Sequence, residues 1–184
     1  MIKGLVKKIS QQTAIIANLF FLFAFLSFQC SKDSDSKFRM RLESNLEIPA
    51  GLNVLDGHHF LIKNIQTNYA SLVNSANIPS HATVSLIPDH AFLRDIFGSE
   101  DLDFIEKVSL KIYTNNNPTD RPEAFYQESI PLDVNSELTL FPTTFEAAPF
   151  LNGAEVNVDI GFFFRRSPSS SINLNLQMEF KGNY

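Results

Sequence analysis

Cysteine occurs once in these 184 residues, at position 30, so no intramolecular disulfide and no cysteine-based metal cluster is open to the chain. Tryptophan is absent. Glycine numbers seven, and none falls in a phosphate-cradling loop pattern. Basic charge is scarce too. Three of the 15 Lys and Arg (Lys3, Lys7 and Lys8) precede Cys30, whereas all 20 Asp and Glu follow it. Residues 30–184 therefore carry 12 basic against 20 acidic side chains, a formal charge of −8 with His neutral. That deficit excludes nucleic acid, whose phosphates require clustered Lys and Arg. It also excludes electrostatic docking onto anionic lipid headgroups.

What the chain does have is one uncharged run at 14–28, preceded by the three lysines. A basic stretch followed by an apolar stretch of this length predicts an export signal over residues 1–29. As a helix the run would span roughly 22 Å, short of the roughly 30 Å hydrocarbon layer. Ser27-Phe28-Gln29 does not offer the small residues that ordinary signal peptidase prefers. Leu26-Ser27-Phe28-Gln29-Cys30 instead resembles a lipobox, with Gln29 where Gly, Ala or Ser is usual. The resemblance implies that Cys30 receives diacylglycerol and becomes the acylated (palmitate-type) first residue of the mature chain. Ser31-Lys32-Asp33-Ser34-Asp35-Ser36 then forms an acidic, serine-rich tether over 30–36. It resembles the segment that follows the lipidated Cys in small surface-exposed lipoproteins of Bacteroidetes-type bacteria, a group of uncharacterised function. That likeness implies an outer-membrane, cell-surface location, with the periplasmic face as the alternative. Acyl chains supply the membrane attachment, at about 0.8 kcal/mol per buried methylene.

Beyond the tether, residues 37–184 read as one domain dominated by period-two alternation. Phe38, Met40 and Leu42 alternate with Arg39, Arg41 and Glu43; Val108, Leu110 and Ile112 alternate with Ser109 and Lys111. Val156 through Phe164 and Ile172 through Phe180 are the longest such runs, and the turn-rich 165–171 between them predicts a terminal hairpin. Further strands are expected at 58–65, 82–87, 123–130 and 137–140. Short helices are expected at 67–76 and 144–151, with a third candidate at 91–97. About eight one-faced strands predict an all-β fold, a Greek-key antiparallel β-sandwich with one or two short helices. A closed lipocalin-like β-barrel is the alternative. Thirteen of the 18 Phe lie beyond the leader and are assigned to the core.

Catalytic grammar is missing. No His-Glu-x-x-His, no nucleophile elbow and no EF-hand loop appears. His58 and His59 are strand neighbours facing opposite ways, so they are not expected to share an ion. The acidic groups Glu100, Asp101, Asp103 and Glu106, and Asp133 and Glu137, lack calcium-loop spacing. No cofactor and no metal site is expected, and no enzymatic activity. Binding residues are sought instead at Phe163, an aromatic on the polar face of its strand beside Arg165 and Arg166, and at Tyr69, Asn116 and Tyr126. The reading is a lipid-anchored envelope module that contacts a protein or glycan through loops at one end. Its rivals are an apolar-ligand carrier with a Phe-lined cavity and a glycan-directed hydrolase or accessory binding domain built on distant carboxylates.

Overall fold

The computed structural model describes residues 36–184; the expected signal peptide, Cys30 and all of the expected tether but Ser36 lie outside the described residues. Eight strands follow one another: β1 (Phe38–Ile48), β2 (His58–Gln66), β3 (Ser85–Asp95), β4 (Ile105–Tyr113), β5 (Glu123–Gln127), β6 (Glu137–Pro142), β7 (Glu155–Phe164) and β8 (Ile172–Asn183). Two short helices, α1 (Tyr69–Ser75) and α2 (Ala148–Leu151), interrupt them, and a single 3-10 turn at Leu102–Phe104 leads into β4. The fold is all-β, and every strand pairing among the described residues is antiparallel.

Pairing follows a simple rule. β1 pairs with β8, β2 with β7, β3 with β6 and β4 with β5, as though one long hairpin were laid out and then rolled. Rolling adds β3 to β8 and β4 to β7. The resulting order is β1-β8-β3-β6-β5-β4-β7-β2, the double Greek key of a jelly roll. The halves β1-β8-β3-β6 and β5-β4-β7-β2 share one core, joined by the short pairing of Phe125 and Tyr126 with Pro142 and Phe141.

Alternation tells which face is inside. In β8, Ile172, Leu174, Leu176, Met178 and Phe180 are buried, while the Asn, Gln and Glu between them are half exposed. Phe125 meets Phe180 edge-on at 5.5 Å, and Phe162 stacks on Phe164 at 5.9 Å. Phe104 also stacks on Phe164, at 5.7 Å. Ring-on-ring packing of this kind fills the interior. Phe125, Phe162, Phe164 and Phe180 line none of the three described grooves.

Three expectations are corrected. The runs in β7 and β8 do not form a hairpin: β7 lies between β2 and β4, and β8 between β1 and β3, so both edges of each strand are taken. The 165–171 connector therefore crosses from one half of the roll to the other. The strand expected at 82–87 and the helix candidate at 91–97 are one strand, β3. A bulge between Pro88 and His90 switches its inward residues from Leu86 and Pro88 to Ala91, Leu93 and Asp95, and this breaks the sequence alternation. The strand expected at 123–130 ends at Gln127.

Candidate functional site

Because paired strands run in opposite directions, the loops sort to two ends of the roll. The β1–β2, β3–β4, β5–β6 and β7–β8 connections share one end; the other holds Phe38 and Asn183, where Lys37 N–H donates to the Gly182 carbonyl at 3.0 Å. An 11-residue strand such as β1 separates the ends by roughly 36 Å at about 3.3 Å per residue.

Large apolar side chains stand exposed on three of the four loops at the first end. Val54 and Leu55 do so on β1–β2, Ile96 and Phe97 on β3–β4, and Leu132 on β5–β6. Leu55 is 88% exposed, and Phe97 and Leu132 are each 76% exposed, far more than an incidental edge residue. Phe163, 46% exposed, ends β7 beside them, and its ring lies against Gly57, where a Cβ would stand 2.9 Å away.

These loops are held in place by specific bonds. Asp95, 3% exposed, turns its carboxylate into the β3–β4 loop and accepts the backbone N–H groups of Phe97 (3.3 Å), Ser99 (2.8 Å) and Glu100 (3.0 Å). Burial pushes this carboxyl up, but the Glu100, Ser99 and Phe97 amides outweigh it and hold the group below the usual carboxylate range. Gly98 takes the positive φ (65°) that the tight turn needs. In the β1–β2 loop, Asn53 Oδ1 accepts from the Leu55 and Asp56 amides at 3.0 and 2.9 Å. Arg165 spends its guanidinium inside the assembly, donating to the carbonyls of Asp103 (3.0 Å) and Ile130. Arg166 pairs with Asp103. Backbone bonds from Gly51 to Pro168, Leu102 to Asn135 and Ile96 to Asn173 lace the loops and the start of β8 together.

The expected binding residues therefore divide. Phe163, Arg165 and Arg166 lie at the loop end, where both arginines are engaged with the β3–β4 loop. Tyr126 is the penultimate residue of β5, its ring 6.4 Å from that of Phe141. Tyr69, in α1, packs against the core, and Asn116 sits in the β4–β5 turn; both are at the opposite end. The four apolar tips 54, 55, 97 and 132 were not singled out from the sequence. An isolated Leu or Phe in a loop carries no period, and only the roll brings these loops together.

A second constellation lies on the outer face of β7. Asp159, 6% exposed, accepts from Arg121 at 2.8 Å and bonds His59 Nδ1 at 2.8 Å. With the carboxylate as acceptor, Nδ1 carries the proton. The imidazole lies over Gly161, which leaves room for it: a Cβ there would stand 3.3 Å from His59 Cε1. Arg121 in turn covers the Tyr113 ring at 4.4 Å, and Asn157 bonds both Asn64 N–H (2.9 Å) and Asn115 Oδ1 (2.7 Å). A His–carboxylate pair is what the hydrolase reading asked for. Yet the nearby Ser109 hydroxyl donates to Glu123 at 2.5 Å, and none of the described grooves includes the pair. What the arrangement does is clamp the β4–β5 loop onto the sheet.

On the other half of the roll, the β3 bulge turns Asp89 and His90 toward Glu179, bringing three potential ligand atoms within 4.8 Å of one another. The two carboxylates already pair with Arg39, Lys181 and Arg41, so a divalent ion would have to displace three cations. Burial raises the Asp89 carboxyl, and Lys181, His90 and Arg39 more than offset that. No described helix is long and apolar enough to cross a membrane.

No protein-family model matches the chain, nor does any curated protein sequence. Among solved structures it is similar to the decameric BFDV capsid protein, with 11% identity over 79% of this chain and 95% of that one and a TM-score of 0.34. It is similar to the Nora virus structure at 11% identity, 77% and 56% coverage and a TM-score of 0.32. The Kashmir bee virus empty particle at acidic pH matches at 13% identity, 80% and 92% coverage and a TM-score of 0.31.

Proposed function

We propose that this protein is a lipid-anchored, non-enzymatic recognition module of the bacterial cell envelope, acylated at Cys30 and binding its partner through the loop end of the roll. The observation that carries the proposal is the gathering of Leu55, Phe97 and Leu132, exposed and pre-ordered, at the end opposite Phe38. An exposed apolar side chain on a rigid loop loses little conformational freedom on binding, so its burial is available for affinity. The described chain enters the fold at Phe38, and these loops lie at the opposite end of the roll.

Protease shaving of intact cells tests the placement. Wild type is compared with a variant carrying Lys32, Asp33 and Asp35 all changed to Ala, with lipid labelling of Cys30 as the control. Labelled protein that is shaved in wild type and protected in the variant is the expected result. Labelled protein protected in both would move the head to the periplasmic face. Absence of label on Cys30 would overturn the anchoring.

A further inference from the structure

We infer that the loop end docks a protein surface that is apolar at its centre and rimmed by lysine or arginine. The inference rests on the recognition reading above and adds the partner's chemistry. The four loops (49–57, 96–104, 128–136 and 165–171) carry six carboxylates, Asp56, Glu100, Asp101, Asp103, Glu128 and Asp133, against two guanidiniums. Asp103 pairs with Arg166 and Glu128 with Lys107 of β4, which leaves four acids to outweigh the basic groups. Arg165 is taken by two carbonyls, and Arg166, whose side chain is 64% exposed, pairs with Asp103. Glu100, Asp101 and Asp133 stand exposed beside the Phe97 and Leu132 tips.

Three occupants are compared by that charge. An anionic bilayer is repelled by an acidic rim. A neutral bilayer accepts the tips but draws the adjoining carboxylates toward a low-dielectric layer with no counter-charge. A second copy of this chain brings the same acids face to face. A protein patch with cationic groups around an apolar centre satisfies both features, burying the tips while pairing the carboxylates. The β3–β4 loop is the anchor, since Asp95 fixes Phe97 before any partner arrives.

The test uses the acylated full chain in phosphatidylcholine nanodiscs. An environment-sensitive dye is placed on Leu132→Cys, the single free thiol once Cys30 is lipidated. The probes are a synthetic amphipathic helix with a leucine face flanked by lysines, its counterpart with glutamates in place of the lysines, and vesicles of phosphatidylcholine with and without phosphatidylserine. The lysine helix is expected to shift the dye emission, to bind roughly tenfold or more tighter than the glutamate helix, and to weaken with added salt. Phe97→Ser, made in the same background, should weaken it by a similar factor without moving the melting temperature. Equal binding of both helices would overturn the charge inference and leave the recognition reading standing. A dye shift with vesicles but with neither helix would replace the protein partner with a membrane. No response to any probe would remove both readings.

Discussion

Removing one carboxylate should disorder the loop that presents Phe97. In Asp95→Ala, three amides lose their acceptor at once: those of Phe97, Ser99 and Glu100. A hydrogen bond to a charged group contributes about 1.5–3 kcal/mol. Three such bonds do not simply add, because the amides of a surface loop can turn to water once freed. Taking the loss of one or two net bonds, the substitution should cost about 2–3 kcal/mol, or roughly 4–12 °C in melting temperature for a domain of this size. Asp95→Asn should cost nearly as much. Oδ1 serves Phe97 and Oδ2 serves Ser99 and Glu100, so an amide nitrogen at either position faces donors. Urea unfolding gives the free energy, and amide exchange at Ser99 and Glu100 reports the loop directly. A midpoint shift equivalent to less than about 0.5 kcal/mol, with both amides still protected, would refute the assignment of Asp95 as the loop's anchor.

Other substitutions test the packing and the outer-face clamp. Gly182→Ala places a Cβ into the Phe38 ring, which rests on Gly182 in the β1–β8 pair. It should cost about 1–3 kcal/mol, with a less-than-additive loss when combined with Phe38→Ala in a thermal-unfolding cycle. Asp159→Asn should cost about 1–3 kcal/mol and speed proteolysis within 114–122, because Arg121 loses its carboxylate; unchanged cleavage would separate that loop from the Asp159 clamp. Acid should destabilise the fold in a defined window. Asp89, Asp95 and Glu146 all sit below their ordinary values of 3.8, 3.8 and 4.5, Glu146 through the Ser85 hydroxyl and the Leu86 and Ala148 amides, which outweigh burial. Each contributes stability that is complete above its unfolded pKa and is lost as pH falls through the lowered folded value. The melting temperature should therefore hold from neutral pH to about 5 and fall below about 4, with a shallower fall in Asp95→Asn.

The sequence by itself determined the class of the fold. Alternation in 38–48, 105–113 and 172–183 names the buried face of each strand, because a strand with one wet side must repeat every second residue. β7, by contrast, is buried on both faces once His59, Arg121 and Asn64 cover its polar side. It also confined the cysteine and the long apolar run to the first 30 residues and left the body acidic. Tertiary structure decided which strands are neighbours. Nothing local distinguishes a β7–β8 hairpin from a crossover, since both bury the same residues; the choice depends on β1 and β3 taking both edges of β8 and on β2 and β4 taking both edges of β7. β3 was hidden because one inserted residue at its bulge reverses the parity on which the reading depends. The candidate site followed the same logic. Arg165 and Arg166 are legible as a basic pair, but their use as loop clamps depends on carbonyl and carboxylate partners 35 to 63 residues away. Leu55, Phe97 and Leu132 lie in three separate loops, which only the rolled hairpin places at the same end.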